Sequence, residues 1–311
     1  MMEDFSQWRI GVIGFGEVGK TFAKGWKDQV NPENGMKVWD LKLSANYESS
    51  TVHQQEHSKA KDMGVSSALD CADLVSGVNL IVSCVTASNT LAVAKEVSQT
   101  IQPGQFFIDL NSASPGTKQA CAALIDAKGA FYVEAGVMTS VPPYGIKVPM
   151  LLGGTKAEYL ARVIQSYGGD AKAISEKLGV ASAIKMCRSI MIKGLEALVI
   201  ESYTTARHYG VEDAMLATLK ETMPGIDWVE QGAYLFSRVV QHGKRRAEEM
   251  RESAVTVAET GATPFMAQAI AEKQDWVSQL AMQGVFSQTH GQSPWQAYAD
   301  ALIAHLDHKA K

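Results

Sequence analysis

A lysine near the start of a long, unbroken helical stretch is the residue of this sequence best suited to moving a proton. The stretch LGVASAIKMCRSIMIKGLEALVIESYTTARHYG begins at Leu178 and carries Lys185. No proline interrupts it. Ile184, Cys187, Met191, Leu195 and Leu198 recur at helical spacing, with Ile190 and Ala197 widening the stripe. Ser182 reads as the N-cap, which puts Lys185 at the third helical position, where a capping box carries Glu or Gln. A cation there faces the positive end of the helix dipole, and that environment pushes a lysine toward its neutral, proton-accepting form. A surface lysine on a frayed first turn is the plain alternative. A second cluster is His242-Gly243-Lys244-Arg245-Arg246. Gly243 is read as parting two helices, so that Lys244, Arg245 and Arg246 open the second one against its dipole. His242, Arg245 and Arg246 are therefore expected to hold an anion, a substrate carboxylate or phosphate met by arginine's fork. The alternative is a solvated face paired with Glu248 and Glu249.

Phosphate chemistry is written near the N-terminus. Arg9 to Ile13 reads as a short buried strand, and Gly14-Phe15-Gly16-Glu17-Val18-Gly19 follows at once, ahead of a helical pattern through Phe22 and Trp26. G-x-G-x-x-G between strand and helix is the dinucleotide fingerprint. Gly14 permits the tight turn, Gly16 the approach of a pyrophosphate, and Gly19 the close packing of helix on strand. The phosphates then meet free N–H groups at a helix N-terminus. Asp40 ends the next strand 21 positions after Gly19, where an acid holds the ribose hydroxyls. It favours NAD because it would repel a 2′-phosphate; Lys42 nearby keeps NADP as the alternative.

These residues need a scaffold, and the alternation of short apolar runs with helical patterns up to Ile174 describes one: a parallel sheet covered on both faces. Ligands in such sheets bind beyond the C-terminal strand ends, where Val85-Thr86, Asn111-Ser112 and Met138-Thr139-Ser140 are expected to gather. The loop GVMTSVPPYGIKVP, rich in proline and glycine, reads equally as a substrate-facing loop or an ordinary crossover. Thr155-x-x-Glu158 reads as a capping box opening a helix. His53 and His57 read as a solvated helix face and not a metal site, since no acid or cysteine completes a set. Beyond Ser182 only helical patterns occur. The expected division is residues 1–177 as an NAD(P)-binding domain and 178–311 as an all-helical substrate and dimerisation domain.

With 311 residues, 46% of them hydrophobic, the chain can build two cores. Net charge is −4 and the charges are dispersed, which argues against nucleic acid and against a polybasic membrane anchor. Cys71, Cys84, Cys121 and Cys187 form no C-x-x-C pair, and Cys84 and Cys187 read as buried small hydrophobes. The start MMEDFSQWRI does not read as a signal peptide, and no run of about 18 apolar residues reads as a membrane span. A reduced, soluble, cytoplasmic protein is expected. A homodimer is expected too, because the apolar helix 184–200 needs more cover than six shorter helices of one chain supply.

Four blocks in order, across most of the chain, resemble the β-hydroxyacid dehydrogenase superfamily, which includes 6-phosphogluconate dehydrogenase. GFGEVG is similar to its cofactor fingerprint, and DLNSASPGTK to its second block, with Ser112 at the residue that meets nicotinamide and substrate. VEAGVMTSVPPYGIKVPMLLGG is similar to its substrate block, and AIKMCRS to its catalytic block, with Lys185 at the general acid/base lysine. The resemblance implies a Rossmann-type doubly wound sheet, a long interdomain helix and an all-α C-terminal domain that dimerises. It also implies cofactor contacts at Gly14, Phe15, Gly16, Glu17, Val18, Asp40, Val85, Thr86 and Ser112. The departures are specific. Met138-Thr139-Ser140 stands where Ser-Gly-Gly is usual, and Ser189 where an asparagine holds the substrate. Ile192 stands where 6-phosphogluconate dehydrogenase has a glutamate, which argues against decarboxylation of that sugar acid. HGKRRAEEM is similar to a little-studied branch of the superfamily. The expected activity is NAD(P)-dependent interconversion of the hydroxyl and oxo forms of a small 3-hydroxy acid. Lys185 would act as acid/base, with Ser112, Thr139, Ser140 and Ser189 orienting the substrate. An imine reductase and a non-catalytic NAD(P)H sensor are the alternatives.

Overall fold

The computed structural model describes Phe5 and residues 7–30 and 35–309. Residues 1–4 and Ser6, on which the signal-peptide reading rests, lie outside them. The chain divides into two compact units, Met1–Met186 and Cys187–Lys311.

The first unit is one eight-stranded sheet in the order β3-β2-β1-β4-β5-β6-β7-β8. The strands are β1 (Ile10–Ile13), β2 (Lys37–Trp39), β3 (Ser66–Ser67), β4 (Leu80–Ser83), β5 (Phe106–Asp109), β6 (Phe131–Val137), β7 (Met150–Gly153) and β8 (Ala171–Ser175). The central strands β1, β4 and β5 are buried throughout, as expected of strands covered on both faces. The covering helices are α1 (Glu17–Trp26), α2 (Ser50–Asp62), α3 (Cys71–Val75), α4 (Thr90–Val97), α5 (Pro115–Asp126) and α6 (Ala157–Ser166). Ser49, Asp70 and Ser114 cap α2, α3 and α5 by accepting from the N–H groups of Val52, Asp73 and Thr117.

Two details depart from the sequence reading. The sheet is parallel except that β7 runs antiparallel to β6. The chain between them holds only a single 3-10 turn at Gly145–Lys147, and without a crossover helix the strand must return beside its neighbour. The capping box at Thr155 and Glu158 does not form: α6 opens at Ala157 after Lys156, with no side-chain cap.

Helices α7 (Val180–Tyr209), α8 (Glu212–Thr222), α9 (Trp228–Glu259), α10 (Phe265–Met282) and α11 (Trp295–Lys309) follow. Among the described residues α7 is thus followed by four helices, not six. One reason is that Gly243 parts nothing. It lies inside the continuous 32-residue α9, where an added Cβ would sit 2.7 Å from the Gln274 carbonyl oxygen. Glycine lets α9 approach α10 that closely, which offsets its poor helix propensity of about 1 kcal/mol. The aromatic core of the second unit includes Tyr203 set edge-on to Trp295 and Phe236 stacked on Tyr298. No helix of the described residues is long and apolar enough to cross a membrane.

Helix α7 also differs from expectation. It opens at Val180, so Ser182 is inside the helix, donating its hydroxyl to the Gly179 carbonyl at 3.1 Å, and Lys185 is the sixth helical residue. Its apolar stripe faces outward: Ile184, Met191 and Leu198 are 42%, 74% and 59% exposed, while Ser189, Lys193 and Glu196 are buried. Cys187, expected to be buried, is exposed with that stripe.

Candidate active site

The C-terminal ends of the parallel strands carry the cradle. Gly14 leaves β1 at φ +93, a conformation that excludes most side chains, and a Cβ there would strike the Cys84 carbonyl oxygen at 2.4 Å. A Cβ on Gly19 would lie 1.9 Å from the Gly14 oxygen, so helix and turn touch backbone to backbone. Gly16 is the opposite case. Nothing lies within 4 Å of its absent Cβ, which leaves open space above the first turn of α1. Gly16 is the N-cap and, having no side chain, caps nothing itself, while Glu17 and Val18 are the first residues of the helix. A tight turn, a close packing and open space over a helix N-terminus are what a pyrophosphate needs. Phe15 is buried, and its N–H donates to Asp40 Oδ2 at 2.8 Å, while Lys42 N–H donates to Asp40 Oδ1 at 3.0 Å. The two amides hold the Asp40 carboxylate in place beside the glycine turn.

Asn111 ties the next two loops together. Its Oδ1 accepts from Val85 N–H at 2.7 Å and its Nδ2 donates to Ser83 Oγ at 2.9 Å, which fixes Val85 and exposed Thr86 relative to half-buried Ser112. Beneath it lies a buried network not read from the sequence. Asp109 Oδ1 pairs with Lys118 Nζ at 2.8 Å and accepts from Asn111 N–H at 2.9 Å, and Asp109 Oδ2 accepts from the Tyr132 hydroxyl at 2.7 Å. Burial, then the Asp109 charge, push the Tyr132 phenol well above its ordinary value, so it stays a donor. A buried ion pair so fully hydrogen-bonded holds its loop in one geometry.

Strand β6 brings the lysine to the same end. Asp109 pairs with Glu134, so Gly136 projects past the end of β5. A Cβ on Gly136 would sit 3.0 Å from the Ala181 oxygen and 3.6 Å from Lys185 Cβ, so the first turns of α7 rest directly on β6. Fully buried Glu134 explains why α7 starts where it does. Its carboxylate accepts from the N–H groups of Gly179, Ala181 and Ser182 at 2.8, 3.1 and 3.3 Å. This anion meets the positive end of the helix dipole. The argument that Lys185 breaks a capping rule at that end therefore lapses. Lys185 is half-buried beside Gly136, and Met138, Thr139 and Ser140 continue directly from β6, with Thr139 exposed. Elsewhere in the unit His53 and His57 bring their Nε2 atoms within 3.1 Å, hydrogen-bonded rather than merely solvated. The described residues contain no group of three or more His, Cys, Asp or Glu able to hold a metal.

The second unit places its expected residues differently. Arg245 and Arg246 lie in mid-helix, so the dipole argument for an anion there is overturned. Arg246 is buried with Nη1 3.1 Å from Glu196 Oε1, whereas Arg245 is exposed with Nε 3.8 Å from Glu249 Oε1. His242 is half-buried on the same helix. Burial raises the Glu196 carboxyl, against the Arg246 charge and a Gln274 hydrogen bond, and burial likewise lowers Arg246: both shifts express desolvation of one pair. Ser189 accepts a hydrogen bond from Lys193, a residue passed over in the sequence although it repeats the spacing of Lys185 and Ser189 at i, i+4, i+8.

Comparison with known proteins agrees with this arrangement. Residues 9–173 match the NAD binding domain of 6-phosphogluconate dehydrogenase, and residues 206–277 match a domain of unknown function (DUF1932). An uncharacterised 28.5 kDa protein of Methanothermus fervidus is 30% identical over 83% of this chain and 94% of its own. A conserved hypothetical protein from Sinorhizobium meliloti is 32% identical, with TM-score 0.73 over 95% of this chain and 96% of that one. At 15% and 16% identity, Mycobacterium tuberculosis 3-hydroxyisobutyrate dehydrogenase (TM-score 0.64, 95% and 99% covered) and an Aspergillus terreus reductive aminase with NADPH (0.55, 89% and 95%) share the fold. With a glycine cradle that fits a dinucleotide and a family match over more than half of its length, this chain belongs to the 6-phosphogluconate dehydrogenase-like, β-hydroxyacid dehydrogenase superfamily, in a branch with a DUF1932 helical domain.

Proposed function

We propose that this protein is an NAD(P)-dependent oxidoreductase interconverting the hydroxyl and oxo groups of a small 3-hydroxy acid, with Lys185 exchanging the proton. The observation that carries this reading is the seating of Lys185 against Gly136, beyond the strand ends that also bear the open glycine cradle. The cradle residues Gly14 to Val18 would hold the pyrophosphate, Asp40 the ribose, and Val85, Thr86 and Ser112 the nicotinamide end. The nicotinamide, when bound, supplies or accepts the hydride. In reduction the Lys185 ammonium donates a proton to the carbonyl oxygen as that oxygen gains charge. In oxidation its amine takes the hydroxyl proton. Thr139, Ser140 and Ser189 orient the acid by hydrogen bonds.

The test is a screen of 3-hydroxy acids for oxidation, and of oxo acids with and without amines for reduction, using both cofactors. Lys185→Ala should lower kcat by about 10²–10⁴-fold, the usual worth of a positioned acid/base, and leave cofactor affinity unchanged. Undiminished turnover by Lys185→Ala rejects the reading. Amine-dependent turnover alone would make the protein an imine reductase, and cofactor binding without any turnover a sensor. NAD is the proposed cofactor, because the Asp40 carboxylate, held beside the glycine turn by the Phe15 and Lys42 amides, would repel a 2′-phosphate. Asp40→Ser should narrow the gap between NAD and NADP affinity, and tighter NADP binding by the unaltered protein would point to Lys42 instead.

A further inference from the structure

Helix α2 turns two imidazoles toward each other and toward a backbone carbonyl. His53 and His57 are one turn apart and half-buried, with their Nε2 atoms 3.1 Å apart and their ring centroids 4.4 Å apart. His57 Nε2 is also 3.2 Å from the Leu43 carbonyl oxygen. Without a metal, one hydrogen serves this group: His57 Nε2–H is shared between the Leu43 oxygen and the Nε2 lone pair of His53. Donors around a tetrahedral ion with bonds of ~2.0–2.1 Å lie about 3.3 Å from one another. The separations of 3.1 and 3.2 Å are close to that spacing, so an ion replacing the shared hydrogen finds its donors already gathered. The carboxylate between the two histidines is committed elsewhere. Glu56 is buried and pairs with Lys20 at 2.5 Å and Lys59 at 2.7 Å. Lys61 shares a surface hollow with His57, but it is exposed, and its long stem lets the ammonium turn to solvent.

We propose that His53 Nε2, His57 Nε2 and the Leu43 carbonyl hold one divalent transition-metal ion, and that this ion staples α2 to the turn after β2. Each ring would bind through the Nε2 lone pair and keep its hydrogen on Nδ1, with water completing the coordination. Two imidazoles suit Ni²⁺, Cu²⁺ or Zn²⁺, whereas Mg²⁺ and Ca²⁺ take sets made of oxygen. The sequence argued against a metal here because no acid or cysteine completes a set. The completing donor is instead a main-chain oxygen 14 residues before His57, which no side-chain pattern reports. Leu43 ends the 3-10 turn Leu41–Leu43 that Asp40 caps, and its N–H donates to the Asp40 carbonyl at 2.8 Å. An ion on the Leu43 oxygen would therefore hold that turn from its far end. The site does not depend on the reaction proposed above, since none of its three donors is assigned to cofactor or substrate.

The probe is Ni²⁺, titrated calorimetrically into the full-length protein, which carries no affinity tag and has been stripped with EDTA and dialysed. One equivalent should bind, and Mg²⁺ at the same concentrations should not. His53→Gln and His57→Gln should each weaken the Ni²⁺ site tenfold or more. Losing even a hydrogen-bond partner behind a metal ligand costs about 10–100-fold, and these variants lose the ligand itself. Ni²⁺ should also slow amide hydrogen exchange in residues 41–44 of the unaltered protein, a readout that needs no variant. No binding of Ni²⁺, binding that either variant leaves unchanged, or exchange at 41–44 that Ni²⁺ does not slow overturns the proposal.

Discussion

Three glycines of one hexapeptide do three different things, and substitution separates them. Gly16 faces open space, so Gly16→Ala should leave thermal stability within about 0.5 kcal/mol while placing a methyl group where phosphate oxygens approach. NAD affinity measured by fluorescence titration should fall tenfold or more. Gly19→Ala has no such room, because its Cβ would overlap the Gly14 oxygen at 1.9 Å. That variant should lose about 1–3 kcal/mol in a denaturant melt, whether or not cofactor is present. The reverse pattern would mean that the phosphates do not sit over Gly16. Gly153 is a third case, since a Cβ there would meet the Glu134 side chain, 2.5 Å from Oε1, and push on the carboxylate that starts α7.

Among the elements, α7 does most to connect scaffold and chemistry. Its first turn is tied to β6 by a single buried carboxylate, and Lys185 follows one turn later. Glu134→Gln keeps the shape but replaces one acceptor oxygen with a donor that opposes the Ser182 N–H. The loss of a charge-assisted bond costs about 1.5–3 kcal/mol. We expect faster amide exchange in residues 179–183 and a lowered kcat, with NAD affinity unchanged. Exchange and turnover both equal to the unaltered protein would show that Glu134 does not hold the helix. Helix α9 teaches a related lesson. Its continuity through Gly243 turns an apparent helix start, rich in cations, into a mid-helix segment whose arginines find separate carboxylates.

At the scale of the whole molecule, the outward apolar stripe of α7 is one feature of the described residues that a single chain leaves without cover. From Ile184 to Leu198 it spans roughly 21 Å at 1.5 Å per residue. A stripe along a straight helix is self-complementary about a twofold axis, and we propose that a second copy of the chain covers it. Light scattering at micromolar concentration should give twice the 33.6 kDa chain mass, and Met191→Glu, at a position 74% exposed in one chain, should shift the protein toward monomer. A monomer in the unaltered protein rules the homodimer out.

Much of the cradle and scaffold was legible in the sequence because it is local. A fingerprint of glycines specifies backbone conformations within six residues, alternating apolar runs specify strands and helices by period, and Asp40 follows from a strand of expected length. Lys185 was legible as a candidate through its block, but for one wrong reason. The sequence placed the helix start by its nearest capping residue, Ser182, whereas the cap is Glu134, which donates nothing to any local pattern and lies 45 residues from Gly179. The antiparallel β7, the unbroken α9 and the inward polar face of α7 were equally hidden. Each depends on what packs against the element: a returning strand, a carbonyl of α10 at Gly243, and the carboxylate of Glu249 that draws Lys193 inward. Helical period says which residues share a face, but it does not say which face is buried. Tertiary contacts decided that, because only they determine whether a buried charge finds a partner of opposite sign.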